Sequence, residues 1–302
     1  MPRDRFVARI DGREIEISNL DKLMYPVAGF TKGEVIDYYT RIAPVMLPHL
    51  RGRPATRIRY PNGVEGVHFF EKNKPGGTPD WVRLETLPVP GSTKSRETIE
   101  FVVVDDLPTL VWLANLAAIE LHTPQWRIGA GPDLMVVDLD PGAPAGLKEC
   151  CAVATLMRDR LADDGIDAYP KTSGKKGMQL CCPVSGSQDA EVVSAYAKKV
   201  ADELAAMVPG SITAKMAKAI RPGKIFIDWS QNNAAKTTVT PYSLRAGERP
   251  TASAPLTWDE VIAIGTGEME ARQFGADEVL ARVEQHGDLL AGLCEGGPAV
   301  PT

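Results

Sequence analysis

Residues 134–142 read LMVVDLDPG. Four apolar residues, Leu134 to Val137, predict a buried strand, and Pro141-Gly142 stops it. Asp138 and Asp140 then emerge two residues apart. In a strand such positions point to the same face, about 6.6 Å apart along the chain. Like charges that close raise each other's pKa. A divalent cation resolves the conflict, and two cations about 3.5–4 Å apart suit phosphoryl transfer. Taken alone, the pair also fits an aspartate-capped turn before Pro-Gly.

A third acid strengthens the metal reading. In Ile225-Phe226-Ile227-Asp228-Trp229 a single carboxylate closes an apolar strand. A buried carboxylate is costly unless it is paired or bound to a metal. A salt-bridged core aspartate is the other way to satisfy it. Around these acids lie candidates for binding phosphate. Thr172-Ser-Gly-Lys-Lys-Gly177 sits between two expected strands. Its glycines let the backbone approach a ligand, while Ser173 and Lys176 supply a donor and a charge. It lacks the first glycine and the final Ser/Thr of a Walker A loop, so by itself it fits a plain hairpin turn. Arg221, Lys236 and Arg245 bracket the Asp228 strand. Arg57 and Arg59 share one strand face, and Phe69-Phe70 precede Glu71-Lys72, aromatics beside a cation that suit base stacking or a core edge. His122 follows an apolar run.

Charge points the same way. The 302 residues carry a net charge of −5, with 44% hydrophobic and 24% charged residues. That composition excludes a disordered chain, a collagen or a coiled coil. The distribution is uneven. Residues 1–75 hold 13 Lys+Arg against 9 Asp+Glu, and residues 171–250 hold 12 against 6. Phosphate binding needs a local basic surface rather than a basic protein. The N-terminal residues show no apolar signal segment, and no apolar run reaches a membrane span. The five cysteines include no CxxC, which predicts reduced core residues ahead of zinc or disulfides.

The remaining elements follow from pattern. Asp11-Gly12 predicts a hairpin over 6–18. Thr31 and Glu34 form a capping box for a helix to about Leu50. Strands are expected at 54–60, 67–72, 99–104, 134–140, 224–230 and 236–244, and as a strand–loop–strand unit on either side of the 172–177 loop. Helices are expected at 145–164, 188–207, 257–264 and 276–283. The apolar run 107–121 predicts one buried helix. The whole reads as a single α+β domain over 1–294 with mixed sheets and a loose tail over 295–302.

Taken in order, nine motifs make the chain resemble the polymerase domain of bacterial DNA ligase D, within the archaeo-eukaryotic primase superfamily. They are SNLDKLMYP, FTKGEVIDYY, GRPATRIRYPNG, HFFEK, LHTPQW, VVDLDPG, TSGKKG, IRPGKIFIDWSQN and KTTVTPYSLR, spanning 18–245. The resemblance implies a primase-like core of mixed and antiparallel sheets flanked by helices, and a two-metal nucleotidyltransferase. Asp138, Asp140 and Asp228 would hold Mn²⁺ or Mg²⁺. His122, Ser173, Lys176, Arg221, Gln231 and Arg245 would hold the incoming NTP or dNTP, with Phe70 near the nascent base pair. Lys22 and Lys32 would hold a DNA 5′-phosphate. Arg57, Arg59, Phe69, Gln179 and Lys236 would add template or nucleotide contacts. The family fills short gaps with ribonucleotides in broken or gapped duplex DNA, so Ku and a separate DNA ligase are expected partners of a cytoplasmic, nucleoid-associated bacterial protein.

Two departures stand out. Gln179 replaces the family's usual histidine, and Ile58 stands where some relatives have lysine. A primase that starts chains without a primer, and a non-catalytic end-bridging module, are the competing functions.

Overall fold

The computed structural model describes residues 5–89 and 97–302. The chain forms two compact units, where the sequence suggests one domain over 1–294. The first comprises Met1–Pro124, Tyr242–Thr251 and Gly275–Gly287; the second comprises Gln125–Pro241, Ala252–Phe274 and Asp288–Thr302.

In the first unit, strands Arg5–Ile10 and Arg13–Ser18 make the expected hairpin, with Asp11 and Gly12 both at positive φ. An antiparallel sheet runs Ala118–Thr123, Pro54–Arg59, Thr98–Val103 and Leu84–Pro88, and Phe69–Glu71 pairs with the outer half of Pro54–Arg59. The helix Lys32–Leu50 opens on the Thr31/Glu34 capping box and packs against helices Leu107–Asn115 and Ala276–His286.

The apolar run 107–121 is not one helix. The helix stops at Asn115, the chain reverses through Ala117 at φ 60°, and strand Ala118–Thr123 follows. A run that is nearly all apolar carries too little period to tell helix from strand, so its length decided wrongly.

The second unit is built on a five-stranded sheet ordered Tyr169–Thr172, Met178–Pro183, Leu134–Pro141, Ile225–Asp228 and Ile212–Thr213. All neighbours are antiparallel except the last pair. Met135, Val137 and Leu139 are buried on one face, where helix Leu147–Ala162 packs and Cys150 Sγ reaches the Leu139 carbonyl. On the other face Val136 and Cys181 are covered by Leu290 and Leu293, with Leu134 and Tyr169 at the margin. Beyond them the same face turns polar, and the acids sit there. Cys150, Cys151, Cys181 and Cys182 are core residues, and no disulfide links the described cysteines.

The strand expected at 236–244 is broken into Thr238–Val239 and a second short strand, Leu244–Arg245, with Tyr242 at a positive φ of 68° between them. The tail expected to be loose is tied down. Val300 is buried, and its N–H and C=O both bond the Gln188 side chain.

Candidate active site

Register places the site. Asp138 lies directly opposite Asp228 on one neighbour and Gln179 on the other, and Gln179 lies opposite Lys171. Directly opposed residues project to the same face. Four strands therefore present one row: Lys171, Gln179, Asp138, Asp228. Asp140 follows two residues after Asp138 on that face.

The carboxylates repel one another, and the structure shows how they are kept apart. Gln179 Nε2 donates to Asp138 Oδ1 at 2.9 Å. Asp228 Oδ1 accepts from Ser230 N and Ser230 Oγ at 3.0 and 2.5 Å, and Oδ2 accepts from Gln231 Nε2 at 3.0 Å. Lys236 Nζ lies 3.9 Å from Asp228. Burial, then the charge on Asp140, pushes the Asp138 carboxyl up to about 7. Asp140 is also raised, by desolvation and by Asp228, while Arg221 pulls it back. The Arg221 guanidinium carbon sits over the Phe226 ring, 3.6 Å from its centroid, and Phe226 is opposite Asp140.

Among the described residues no three acidic, histidine or cysteine side chains form a ready metal cage. The donor chemistry nevertheless fits a hard divalent cation: carboxylate oxygens that crowd on one face of two neighbouring inner strands and repel. Asp138, Asp140 and Asp228 are the residues that would hold it.

The loop Ser173–Gly177 hangs beside this row. Ser173 N bonds the Gly177 carbonyl at 3.0 Å, and Lys175 N bonds Ser173 Oγ at 3.2 Å. Gly174 takes φ +72°, and a Cβ on Gly177 would stand 2.1 Å from the Leu139 carbonyl of the acid-bearing strand. The loop can lie this close only because Gly177 has no side chain. Lys175 and Lys176 are exposed and border a cavity of about 310 Å³ with Pro141, Leu147, Arg272 and Gln273. Gly177→Ala is expected to cost about 1–3 kcal/mol by overpacking. The check is thermal unfolding alongside nucleotide KM, and an unchanged melting temperature would contradict this packing.

The first unit carries the other candidates. His122 Nε2 and Arg245 Nε both meet Glu120 Oε2, at 3.0 and 3.1 Å, and Ala246 N donates to Glu120 Oε1 at 3.0 Å. Glu120 is fully buried. Sequence reasoning missed it, although it was the one charge in an apolar run and shares a strand face with His122.

Arg57 is fully buried, with Nη2 on the Asn73 carbonyl at 2.6 Å and 3.5 Å from Glu71. Arg59 meets Glu71 at 3.1 Å. Arg57 thus braces the strand Phe69–Glu71 and is not placed to touch a template. Phe69 and Phe70 on that strand are half exposed.

Lys22 and Lys32 come together, since Lys32 N donates to the Lys22 carbonyl at 2.8 Å. Lys22 Nζ meets the Pro61 carbonyl and Asn62, while Lys32 Nζ meets the Ser18 carbonyl and Asn115 at 2.6 and 2.7 Å. Burial, then Lys22, lowers Lys32 to about 8. The helix end adds no open amides. Lys32 N, Gly33 N and Glu34 N are already bonded to Lys22, Leu20 and Thr31.

This architecture superposes on the polymerase domain of Mycobacterium tuberculosis ligase D, solved in complex with DNA. The TM-score is 0.87 at 39% identity, covering 94% of this chain and 99% of that one. The fold is therefore the α+β, archaeo-eukaryotic primase-like one that the motifs implied.

The family model for the LigD primase-polymerase domain matches residues 31–290, and the chain belongs to that family. It is 42% identical over 288 residues to the multifunctional non-homologous end joining protein LigD of Mycolicibacterium smegmatis. It is 33% identical over 276 residues to the bifunctional LigD of Bacillus subtilis. Those alignments cover 94% and 91% of this chain but 36% and 43% of the relatives, so the chain spans about two-fifths of their length. No described helix is long and apolar enough to cross a membrane.

Proposed function

We propose that this chain is a DNA-repair nucleotidyltransferase that adds ribonucleotides to a primer 3′-hydroxyl at short gaps or broken ends. The observation that carries the reading is the acidic row, with Asp138 opposite Asp228 and Asp140 beside them. Mn²⁺ or Mg²⁺ held there would lower the pKa of the 3′-hydroxyl and neutralise charge on the departing pyrophosphate. The chain's own residues do the rest. Asp138, Asp140 and Asp228 fix the position of the charge. Ser173 and Lys176, in the loop beside the row, bind the triphosphate, with Lys176 on the cavity wall, and Arg221, Gln231 and Lys236 stand around the acids. On the first unit, the resemblance assigns nucleotide contacts to His122 and Arg245, both held on Glu120, and base stacking to Phe69 and Phe70. Gln179 bonds Lys171 through Oε1 and Asp138 through Nε2, so a direct nucleotide contact would use the second N–H or the second lone pair of its amide.

The test is extension of a gapped duplex with each NTP and dNTP under Mn²⁺ and under Mg²⁺. Metal-dependent addition with NTPs at least as good as dNTPs is expected. No addition with either metal would leave an end-bridging module, and addition without a primer would make it a primase. Ku and a ligase as partners, and a cytoplasmic, nucleoid-associated location, belong to the same proposal. They rest on the relatives' role in end joining.

Lys22 and Lys32 are proposed to bind a 5′-phosphate through their side chains alone. At pH 7 the chain should bind a 5′-phosphorylated gap more tightly than its 5′-hydroxyl counterpart. Lys32 loses its proton as pH rises through about 8, so the preference should shrink there. The Lys22→Ala/Lys32→Ala variant should lack it at every pH, with a log–log salt slope lower by up to ~0.9 per lost contact. Equal binding of the two duplexes by the wild type would contradict the site.

A further inference from the structure

Lys171 sits at the start of the acidic row, and its cation is completely buried. Its Nζ donates to Gln179 Oε1, to Ser253 Oγ at 2.7 Å and to the Val239 carbonyl at 3.2 Å. The other end of the Gln179 amide donates to Asp138 Oδ1. Gln179 is itself buried. A glutamine amide can be flipped without moving the backbone, which exchanges its donor and acceptor ends. An ammonium only donates, so Lys171 admits one orientation, with Oε1 towards itself and Nε2 towards Asp138. The flipped amide would set its oxygen against the Asp138 carboxylate and its N–H groups against the ammonium.

We propose that Lys171 is a positioning residue for the acidic site, acting through Gln179 to fix the Asp138 carboxylate with Oδ1 committed and Oδ2 left for a cation. The relay explains why a cation is buried far from any surface need, and why residue 179 tolerates glutamine in place of the family's usual histidine. An imidazole can accept from Lys171 on one ring nitrogen and donate to Asp138 from the other. The inference rests on the metal-site reading above, and the competing role for Lys171 is purely structural, anchoring strand Tyr169–Thr172 to Val239 and Ser253.

Mn²⁺ affinity, measured by electron paramagnetic resonance of the free ion in the absence of nucleotide, separates these roles. Lys171→Met and Gln179→Leu should each weaken Mn²⁺ binding about tenfold or more, the usual cost of losing a partner that orients a ligand. The double variant should bind no worse than the weaker single, because both cuts break one chain. Gln179→His should stay within about threefold of wild type, since its ring restores both bonds. Should Lys171→Met fail to fold, Gln179→Leu cuts the same relay while keeping the Lys171 bonds to Val239 and Ser253. Wild-type affinity in Gln179→Leu, or additive losses in the double variant, would overturn the relay. Asp138→Ala is the control. If it weakens Mn²⁺ binding while the relay variants do not, this inference alone falls. If it binds Mn²⁺ like wild type, the metal reading falls and the relay with it.

Discussion

Replacing Asp138 with asparagine should abolish nucleotide addition and, in metal-free protein, raise the melting temperature. The two effects have one cause. The native site holds the Asp138 carboxyl up to about 7, against 3.8 for a free aspartate. Between roughly pH 4 and 7 the folded chain therefore binds more protons at this position than the unfolded chain. Stability must fall as pH rises through that window and level off above it. Asparagine keeps an Oδ1 acceptor for Gln179 but carries no charge. Its advantage should be small near pH 4, grow to pH 7 and then stay constant, worth about 1 kcal/mol or more and ~2–4 °C. Mn²⁺ should stabilise the wild type at pH 8 and leave the variant unchanged. The rate should fall by about 10³-fold or more, since a lost ligand removes several kcal/mol of transition-state stabilisation. Addition at near wild-type rate, or a variant less stable than wild type at pH 8, would contradict this account.

Glu120→Ala should have the largest effect on stability, about 3–5 kcal/mol. Removing one partner of a buried ion pair strands the other in a poor solvent. Arg245, only 12% exposed at its side chain, is the group left behind, and Ala246 N loses its acceptor too. Glu120→Gln is the gentler probe. It keeps the amide acceptor and loses the charge, so it should fold, while His122 and Arg245 lose their common anchor. Nucleotide KM should rise about tenfold, an effect of roughly 1.4 kcal/mol on ground-state binding. A Glu120→Ala protein that melts like wild type would show that the ion pair is not part of the fold's support.

How much was legible in the sequence depended on the signal each segment carries. The strand Leu134–Pro141 could be read because an apolar run ends abruptly in two acids and a Pro-Gly stop. The helix Lys32–Leu50 could be read because its cap is local chemistry. The run 107–121 misled because helix and strand look alike when nearly every position is apolar. That error hid Glu120, which becomes conspicuous once it shares a strand face with His122. Arg57 was legible as a same-face partner of Arg59, but not as a buried brace, because its burial is set by Glu71 and Asn73 from elsewhere in the chain. The motifs grouped Asp138 with Asp228 and named Gln179, but the register of the row, and Lys171 at its start, could not be read. The row is a product of register across four strands, and no local pattern sets the pairing of segments some 90 residues apart. The tail shows the same limit, since its anchor is Gln188.

The central claim is that these three aspartates hold the metal at which a nucleotide reacts. The most direct measurement is an anomalous-scattering map from crystals of the chain grown with Mn²⁺ and a non-hydrolysable nucleoside triphosphate. The account predicts manganese density within bonding distance of Asp138, Asp140 and Asp228, with the triphosphate running to Ser173 and Lys176. Manganese bound elsewhere, with Asp138 still turned to Gln179 and Asp228 to Ser230 and Gln231, would contradict it.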